Sequence, residues 1–313
     1  MDNCRQMNAT NNFKMAFEFS LLGLLALLWG SSYLFIKIAV VEIPPITLIA
    51  YRVAVACIFL LLIMAWRKEQ FPRDIPTWRA LLVLAFFNSI GAWTILAWGQ
   101  QYVDSGLASV LNSTSPIFVF IFTLLLSYHE KPHPLKFFGA CLGVLGVTLI
   151  VGVDVLAGLG QQVLGQLASL SGAILYACAA LYAKRFTQLS ATVIAASTML
   201  LATLVLLPAS LIIEQPWQLS PSLSAIYAAT ALAILCTGFA LLIYFRLLKT
   251  IGPMGVASQA YLRAGVGVML GIVFLGEHIT LSIGLGLTAA ILGVIAINYP
   301  VKLKSNAKTQ LTD

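Results

Sequence analysis

Charged residues are scarce in this chain. Only 9% of the 313 residues are charged and 60% are hydrophobic, with a mean hydropathy of +0.95, whereas an ordinary soluble domain carries about 25% charged residues. The 18 basic and 11 acidic side chains are too few to give 33.7 kDa of protein a water-soluble surface. The composition therefore excludes a soluble enzyme, a disulfide-rich secreted module and a disordered protein, and it indicates that lipid surrounds most of the chain.

Motifs for metals, nucleotides and nucleic acids are missing as well. The five cysteines include no Cys-x-x-Cys pair, and four of them lie inside apolar runs, as small core residues do. No phosphate-binding Gly-x-x-x-x-Gly-Lys-Ser/Thr loop is present. The net charge of +7 comes from basic residues scattered between apolar runs, which does not indicate a nucleic-acid partner. We therefore expect no enzyme, cofactor, metal or nucleic-acid partner.

What the sequence does have is ten apolar segments of membrane-spanning length. A bilayer core of about 30 Å needs about 20 helical residues. The segments, numbered here as spans 1 to 10, are 20–41, 45–66, 79–101, 105–127, 135–153, 163–183, 190–213, 223–245, 253–275 and 280–299. They lack the strict alternation of barrel strands, the other spanning solution. The sequence therefore predicts an all-α integral membrane protein with ten transmembrane helices.

The basic residues predict how these spans are oriented. All but three of the 18 Lys and Arg fall in the two tails or after spans 2, 4, 6 and 8, which is one side of an alternating ten-span chain. By the positive-inside rule both termini are then cytoplasmic. The predicted division is a cytoplasmic tail 1–19, a first half 20–153, an extracytoplasmic linker 154–162, a second half 163–299 and a cytoplasmic tail 300–313.

The two halves resemble each other in sequence. Residues repeat at a spacing of 147: Gly139, Leu145, Gly146, Val147 and Ile150 match Gly286, Leu292, Gly293, Val294 and Ile297, and Glu130 matches Glu277. An odd number of spans in each half places the second half upside down. Inverted repeats of this kind hold a substrate near the midplane between the halves and alternate access by rocking.

Short ordered motifs run along nearly the whole chain. They are Leu28-Trp29-Gly30-Ser31-Ser32, Tyr51-Arg52, Ala108-Ser109, Ser113-Thr114-Ser115-Pro116, Gly143-Val144-Leu145-Gly146-Val147, Tyr244-Phe245-Arg246-Leu247-Leu248-Lys249 and Leu275-Gly276-Glu277. Together they resemble the EamA type of the drug/metabolite transporter superfamily. The resemblance implies two EamA repeats, a secondary transporter that often exports metabolites, and a bacterial inner membrane. The chain departs from the family in span 9, where the usual Tyr-Leu-x-Pro reads Tyr261-Leu262-Arg263-Ala264.

Arg263 is the first candidate for substrate binding. It lies about halfway through span 9, where a charge costs about 2.5–3.5 kcal/mol on insertion scales, and arginine does not lose its charge by titration. All eleven acidic residues lie in tails, connections or span ends. Arg263 must therefore face carbonyls, a polar cavity or an anion, and we predict that it binds a substrate carboxylate or phosphate. A structural arginine held by carbonyls and hydroxyls is the alternative.

The other two charged residues inside spans, Lys37 and Arg52, are expected to serve structure. Both lie toward the outer membrane face, so their side chains can reach the interface, and Arg52 can instead pair with Glu42. Neither is predicted to bind substrate.

Polar and aromatic residues mark the midplane of spans 1, 3, 4, 6, 8 and 9. Amides and hydroxyls orient a polar ligand, while Trp and Tyr cover its apolar part. The predicted binding residues besides Arg263 are Trp29, Ser32, Asn88, Trp93, Asn112, Tyr176, Tyr244 and Tyr261. Pro116 is predicted to kink span 4 as a hinge. Spans 2, 5, 7 and 10 are plainer and are expected to face lipid or a partner.

These features predict a permease that exports a small amphipathic metabolite, such as an amino acid or organic acid, by alternating access. The expected partners are the lipid bilayer and an anionic or zwitterionic small molecule. No Asp, Glu or His lies at mid-depth, so we expect facilitated diffusion or exchange, with Glu42 and Glu277 as the reserve proton carriers. A passive channel or a non-transporting scaffold is the alternative.

Overall fold

The computed structural model describes residues 2–126, 134–151, 161–251, 256, 259–278 and 280–298, and every regular element among them is helical. The α-helices are α1 (Asp2–Val40), α2 (Pro45–Trp66), α3 (Ile75–Ala85), α4 (Gly91–Gly99), α5 (Ser105–Asn112), α6 (Ser115–Leu126), α7 (Pro134–Val151), α8 (Gln161–Ala183), α9 (Ala191–Ile213), α10 (Leu223–Ala233), α11 (Ala240–Thr250), α12 (Gln259–Leu275) and α13 (Leu281–Asn298). Two π-helical segments, Phe86–Ile90 and Ile234–Phe239, join α3 to α4 and α10 to α11.

Seven stretches of the described chain are long and apolar enough to cross a membrane: Ala16–Val40, Pro45–Trp66, Ile75–Gly99, Ser105–Leu125, Gln162–Phe186, Ala191–Ile213 and Leu223–Thr250. Helices α7, α12 and α13 lie at the predicted spans 5, 9 and 10 and are not among these seven stretches. The apolar stretches of α12 and α13 are shorter than those of the seven. The all-α membrane fold is confirmed. The count of ten spans and the cytoplasmic side of the termini stay predictions.

The described helices refine several predicted boundaries. Helix α1 runs unbroken from Asp2, so residues 2–19 of the predicted tail are helical and continue directly into span 1. Span 4 is not one helix, because α5 ends at Asn112 and α6 begins at Ser115. The predicted tail 300–313 and nearly all of the linker 154–162 lie outside the described residues, as does Glu130 of the sequence repeat.

The break in span 4 has a local cause in its sequence. The Ser113 and Thr114 hydroxyls donate to carbonyls of their own preceding turn, at 2.7 Å to Ser109 O and 2.6 Å to Leu111 O, and such bonds compete with helix geometry. Pro116 has no N–H, so it cannot bond the carbonyl four residues earlier, which belongs to Asn112. The Asn112 carbonyl is thereby free for another donor.

Helices α2 and α9 pack side by side in opposite directions, as hydrogen bonds at both ends show. Glu214, which follows α9, accepts bonds from the N–H groups of Ile46 and Thr47 in the first turn of α2, at 3.1 and 2.6 Å. At the other end Glu69, which follows α2, accepts a 2.6 Å bond from Ser190, the N-cap of α9. Spans 2 and 7 are the second spans of their halves. Their antiparallel packing is what an inverted duplication requires.

Two further features recur in both halves. The π-helical segments lie in spans 3 and 8, the third spans of the two halves. Helices α7 and α13 in spans 5 and 10 touch through glycines, since a Cβ on Gly293 would lie 2.5 Å from the Gly139 carbonyl. Small residues thus bring these two helix backbones into direct contact.

Candidate functional site

A cleft with two chambers lies between the halves. The wide chamber encloses about 590 Å³ of empty space including its mouth, and its wall draws on spans 1, 3, 4, 6, 8 and 9, the six spans with polar midplane residues. The narrow chamber encloses about 330 Å³. Trp29, Tyr176 and Arg263 border both chambers, so the two are neighbouring parts of one site.

The two chambers extend toward opposite ends of the helical bundle. The wide chamber reaches Leu248 and Val256, beside the connection from span 8 to span 9, which is on the side predicted to be cytoplasmic. The narrow chamber reaches Ile36 and Leu96, near the ends of α1 and α4. The mouth therefore opens toward the end of the bundle that carries the basic connections.

Arg263 lies at the boundary of the two chambers. Its side chain is 5% exposed, and Nη2 donates a 3.1 Å hydrogen bond to the Asn112 carbonyl, the one that Pro116 leaves free. Its Nε has no acceptor among the described residues. One N–H of Arg263 is thus bonded to a backbone carbonyl, as expected of a structural arginine. The guanidinium also borders the cleft, as a substrate-binding arginine must.

Small residues bring span 9 close enough to place this side chain. A Cβ on Gly30 would lie 2.6 Å from Val266 Cγ1 and 3.0 Å from the Arg263 carbonyl, so any larger residue would push α1 and α12 apart. The Ser109 hydroxyl donates to the same carbonyl at 3.3 Å. Spans 1, 4 and 9 therefore hold Arg263 through backbone contacts.

Arg52 does not reach the membrane interface or Glu42, contrary to the sequence expectation. It is 3% exposed and borders the narrow chamber. Its Nε donates a 2.7 Å bond to Thr237 Oγ1, and its guanidinium carbon lies 3.8 Å from the ring centroid of Trp93, a cation–π arrangement. The face of α2 that carries Arg52 turns inward because α2 packs on α9 and on the π-helical segment of span 8. Sequence depth alone did not show this.

Glu42 has a different partner. Its two carboxylate oxygens accept bonds from the Ser222 N–H at 2.6 Å and the Ser222 hydroxyl at 2.7 Å, at the start of α10. These bonds lower the pKa of the Glu42 carboxyl, the backbone bond contributing most.

Aromatic rings form much of the wall. Trp29 and Tyr244 stack with centroids 5.1 Å apart, and the indole N–H of Trp93 donates to the Tyr176 hydroxyl oxygen. Tyr176 and Tyr244 border the wide chamber with Trp29, as Trp93 borders the narrow one. These four predicted aromatic residues therefore meet at the cleft.

The predicted polar residues divide into three groups. Asn88 borders the wide chamber, and Ser32 borders the narrow chamber although its hydroxyl donates to the Trp29 carbonyl at 2.6 Å. The Asn112 side chain is not on either wall, since it is buried and donates to the Tyr33 hydroxyl at 2.5 Å. The Tyr261 side chain lies outside the described residues.

Besides Arg52, two buried polar residues of the wall were not among the predicted binding residues. Gln259 is 5% exposed on the wide chamber, and its Oε1 has no donor among the described residues. Tyr33 borders the narrow chamber. Each lies within four residues of a predicted site residue on the same helix. That helical spacing is the sequence signal that could have identified them as wall residues.

Hydrogen bonds from two charged side chains join helices at the end of the bundle opposite the mouth. Glu277 accepts bonds from the Ser105 N–H and hydroxyl, both at 2.7 Å, and from the Gly106 N–H at 2.9 Å, at the start of α5. Lys37 donates to the carbonyls of Gln100 and Val103 at 2.9 and 2.7 Å, beyond the end of α4. Lys37 thus contacts backbone, in keeping with the structural role expected of it.

Comparisons with known proteins match nearly the whole chain. The model of the EamA-like transporter family matches residues 17–152 and 163–299. The uncharacterized inner membrane transporter YedA of Escherichia coli strain K12 is 29% identical over 279 residues, 89% of this chain and 90% of the relative. The uncharacterized transporter YoaV of Bacillus subtilis strain 168 is 26% identical over 269 residues, 85% of this chain and 92% of the relative. A crystal structure shares the fold with a TM-score of 0.65 at 17% identity, covering 89% of this chain and 96% of that chain.

Proposed function

This chain belongs to the EamA-like transporter family, and from that premise we propose that it carries a small metabolite with a carboxylate or other anionic group across the bacterial inner membrane by alternating access. An amino acid or organic acid is the class expected. The inner membrane transporter YedA, which matches 89% of the chain, supports the location. The observation that carries the proposal is Arg263 on the wall of the cleft.

The free donors of Arg263 support an anionic ligand. A buried guanidinium without a counter-charge is costly, and the described residues that line the two chambers include no Asp or Glu. A carboxylate that enters the cleft would accept charge-assisted bonds from the N–H groups that the Asn112 carbonyl does not use. The rings of Trp29 and Tyr244 would cover the apolar part of the molecule.

We propose export as the direction of transport, as the family resemblance implies. The wide chamber opens toward the end predicted to be cytoplasmic, where a metabolite for export would enter. At the opposite end Glu277 and Lys37 join neighbouring helices by hydrogen bonds. In an inverted repeat the second half can adopt the conformation of the first, which closes the mouth and opens the other end.

The test is transport by Arg263→Gln in proteoliposomes. Candidate amino acids and organic acids are first screened by thermal shift of the purified protein, because a ligand that binds the folded state raises Tm. Any compound that raises Tm is then followed by saturable counterflow, which distinguishes a carrier from a passive channel. We expect Arg263→Gln to abolish both signals at normal membrane levels, while Arg79→Gln, an exposed arginine on α3, retains them. Undiminished counterflow by Arg263→Gln would refute the proposal.

A further inference from the structure

Two guanidinium groups, one from each half of the protein, border the narrow chamber. Arg52 comes from span 2 and Arg263 from span 9, and they are 3% and 5% exposed. Tyr176 borders the same chamber between spans of the two halves. The two positive charges therefore converge on one small volume.

Each guanidinium is fixed by contacts with protein groups and still has N–H donors that these contacts do not use. In the described residues Arg52 makes one hydrogen bond, through Nε to Thr237, and stacks on Trp93. Arg263 likewise makes one, through Nη2 to the Asn112 carbonyl. Arginine has five N–H donors in a fixed fork. Most of the donors on both groups thus have no acceptor among the residues that the structure describes.

A ligand with a single negative charge compensates only one of these two cations. The described residues that line either chamber include no acidic side chain, so the second charge would stay buried without a partner, which is unfavourable. The zwitterion of a neutral amino acid is less suitable still, because its ammonium group adds a third positive charge. Two anionic groups on one molecule compensate both arginines.

We propose that the cleft selects a small organic dianion, with one anionic group bound by Arg263 and the other by Arg52. The inference rests on the proposed transport function and names its substrate class. The narrow chamber is small, so the dianion must have a short carbon chain that extends from Arg263, which borders both chambers, toward Arg52. The Tyr176 hydroxyl oxygen accepts from Trp93, and its own O–H, which has no acceptor in the described part of the chain, can donate to the ligand.

The experiment compares dicarboxylates with their half-amides on the purified full-length protein. Succinate and succinamate have nearly the same shape but carry two charges and one, and malonate, glutarate and adipate vary the separation of the charges. Binding is measured by thermal shift and by quenching of tryptophan fluorescence, since Trp29 and Trp93 line the cleft. We expect the best dicarboxylate to bind about tenfold or more tightly than its half-amide, because a second charge-assisted pair is formed.

Variants separate this inference from the proposed function. Arg52→Gln is expected to lower dicarboxylate affinity to that of the half-amide and to leave the half-amide unchanged, whereas Arg52→Lys keeps part of the preference. Arg263→Gln is expected to lose both ligands, and Arg79→Gln neither. Equal affinity for both ligands in the unaltered protein, or no binding by any dicarboxylate, overturns the dianion assignment. Equal weakening of both ligands by Arg52→Gln does the same, because it indicates a structural role.

The proposed function has a separate outcome in the same experiment. If the half-amide binds as well as the dicarboxylate but Arg263→Gln still abolishes binding, the anion site at Arg263 stands and only the dianion assignment fails. If Arg263→Gln keeps full affinity for a transported ligand, the proposed function fails. Melting temperatures without ligand show whether each variant is folded.

Discussion

At the scale of single residues, the site depends on one carbonyl that a proline leaves unbonded. Pro116 cannot donate to the Asn112 carbonyl, and Arg263 Nη2 occupies that oxygen at 3.1 Å. The sequence predicted Pro116 as a hinge. The structure gives it a second role, which needs no movement: it provides an acceptor that orients the arginine.

Pro116→Ala is therefore expected to weaken ligand binding without unfolding the protein. The new N–H at position 116 would compete with Arg263 for the Asn112 carbonyl, and one hydrogen bond to a charged group contributes about 1.5–3 kcal/mol. Affinity for any ligand found by thermal shift should fall about tenfold, with an unliganded Tm no lower than before. The matched control is Pro208→Ala, since Pro208 lies inside α9. Equal losses from both substitutions would contradict this explanation.

The predicted depth of Arg263 and the surroundings of Arg52 depend on different kinds of information. The depth of Arg263 followed from counting residues along span 9, and the lack of acids at that depth followed from the composition. The direction in which Arg52 points depends on how α2 packs against neighbouring helices, and contacts such as that of Trp93 with Tyr176 join distant spans. Only the folded chain contains that information.

At the scale of elements, acidic residues of one half cap helices of the other. Glu42 binds the start of α10, Glu214 the start of α2 and Glu277 the start of α5. The first N–H groups of a helix lack internal partners and carry partial positive charge, so a carboxylate there is stabilising. These acids were predicted to lie in connections, but their helix-capping partners come from the opposite half and could not be read from local sequence.

Glu277→Ala is expected to destabilise the folded protein by about 1–3 kcal/mol, because three donors of α5 lose their acceptor. The control is Asp104→Ala. Asp104 occupies the N-cap position of α5 itself yet makes no side-chain capping bond, so its loss should change stability little. Chemical denaturation of the purified variants measures both effects. A larger effect at Asp104 than at Glu277 would contradict this assignment of the cap.

The Glu42 cap predicts a pH dependence. Its bonds to Ser222 lower the pKa of the folded carboxyl below the ordinary value of 4.5. A lowered folded pKa means that the stabilisation is present above the ordinary value and is lost as the pH falls through the lowered one. The Tm difference between the unaltered protein and Glu42→Gln should therefore be full at about pH 7 and vanish in strong acid. A Tm difference that stays constant across that pH range would show that the Glu42 side chain stabilises the protein by packing and not by its charge.

At the scale of the whole molecule, the order of apolar segments was the most predictable feature. Hydropathy, the spacing of the repeat and the odd span number pointed to paired halves, and the antiparallel packing of α2 and α9 fits that arrangement. Pro116 had predicted a kink in span 4, but composition did not predict the two π-helical segments. Each depends on a few local bonds, such as that of Thr237 Oγ1 to the Leu232 carbonyl at 2.8 Å, which hydropathy does not detect.

The two arginines also determine how the carrier should cycle. The empty cleft holds two buried cations without a counter-charge on the described walls, so rocking of the empty protein would desolvate them further. The loaded protein does not meet this barrier, because the anionic substrate compensates the charge. Return of the carrier should therefore be fast with substrate bound and slow without it, which is the kinetic behaviour of an exchanger.

Uptake of labelled substrate into proteoliposomes should accordingly rise about tenfold when unlabelled substrate is present inside. An imposed pH gradient should have no effect on accumulation, since the described cleft walls carry no Asp, Glu or His to move a proton. Arg52→Gln removes one of the two charges, so it should lessen the dependence on internal substrate. Accumulation that follows the pH gradient would instead indicate proton coupling, and Glu42→Gln and Glu277→Gln would then show whether either carboxyl is the carrier.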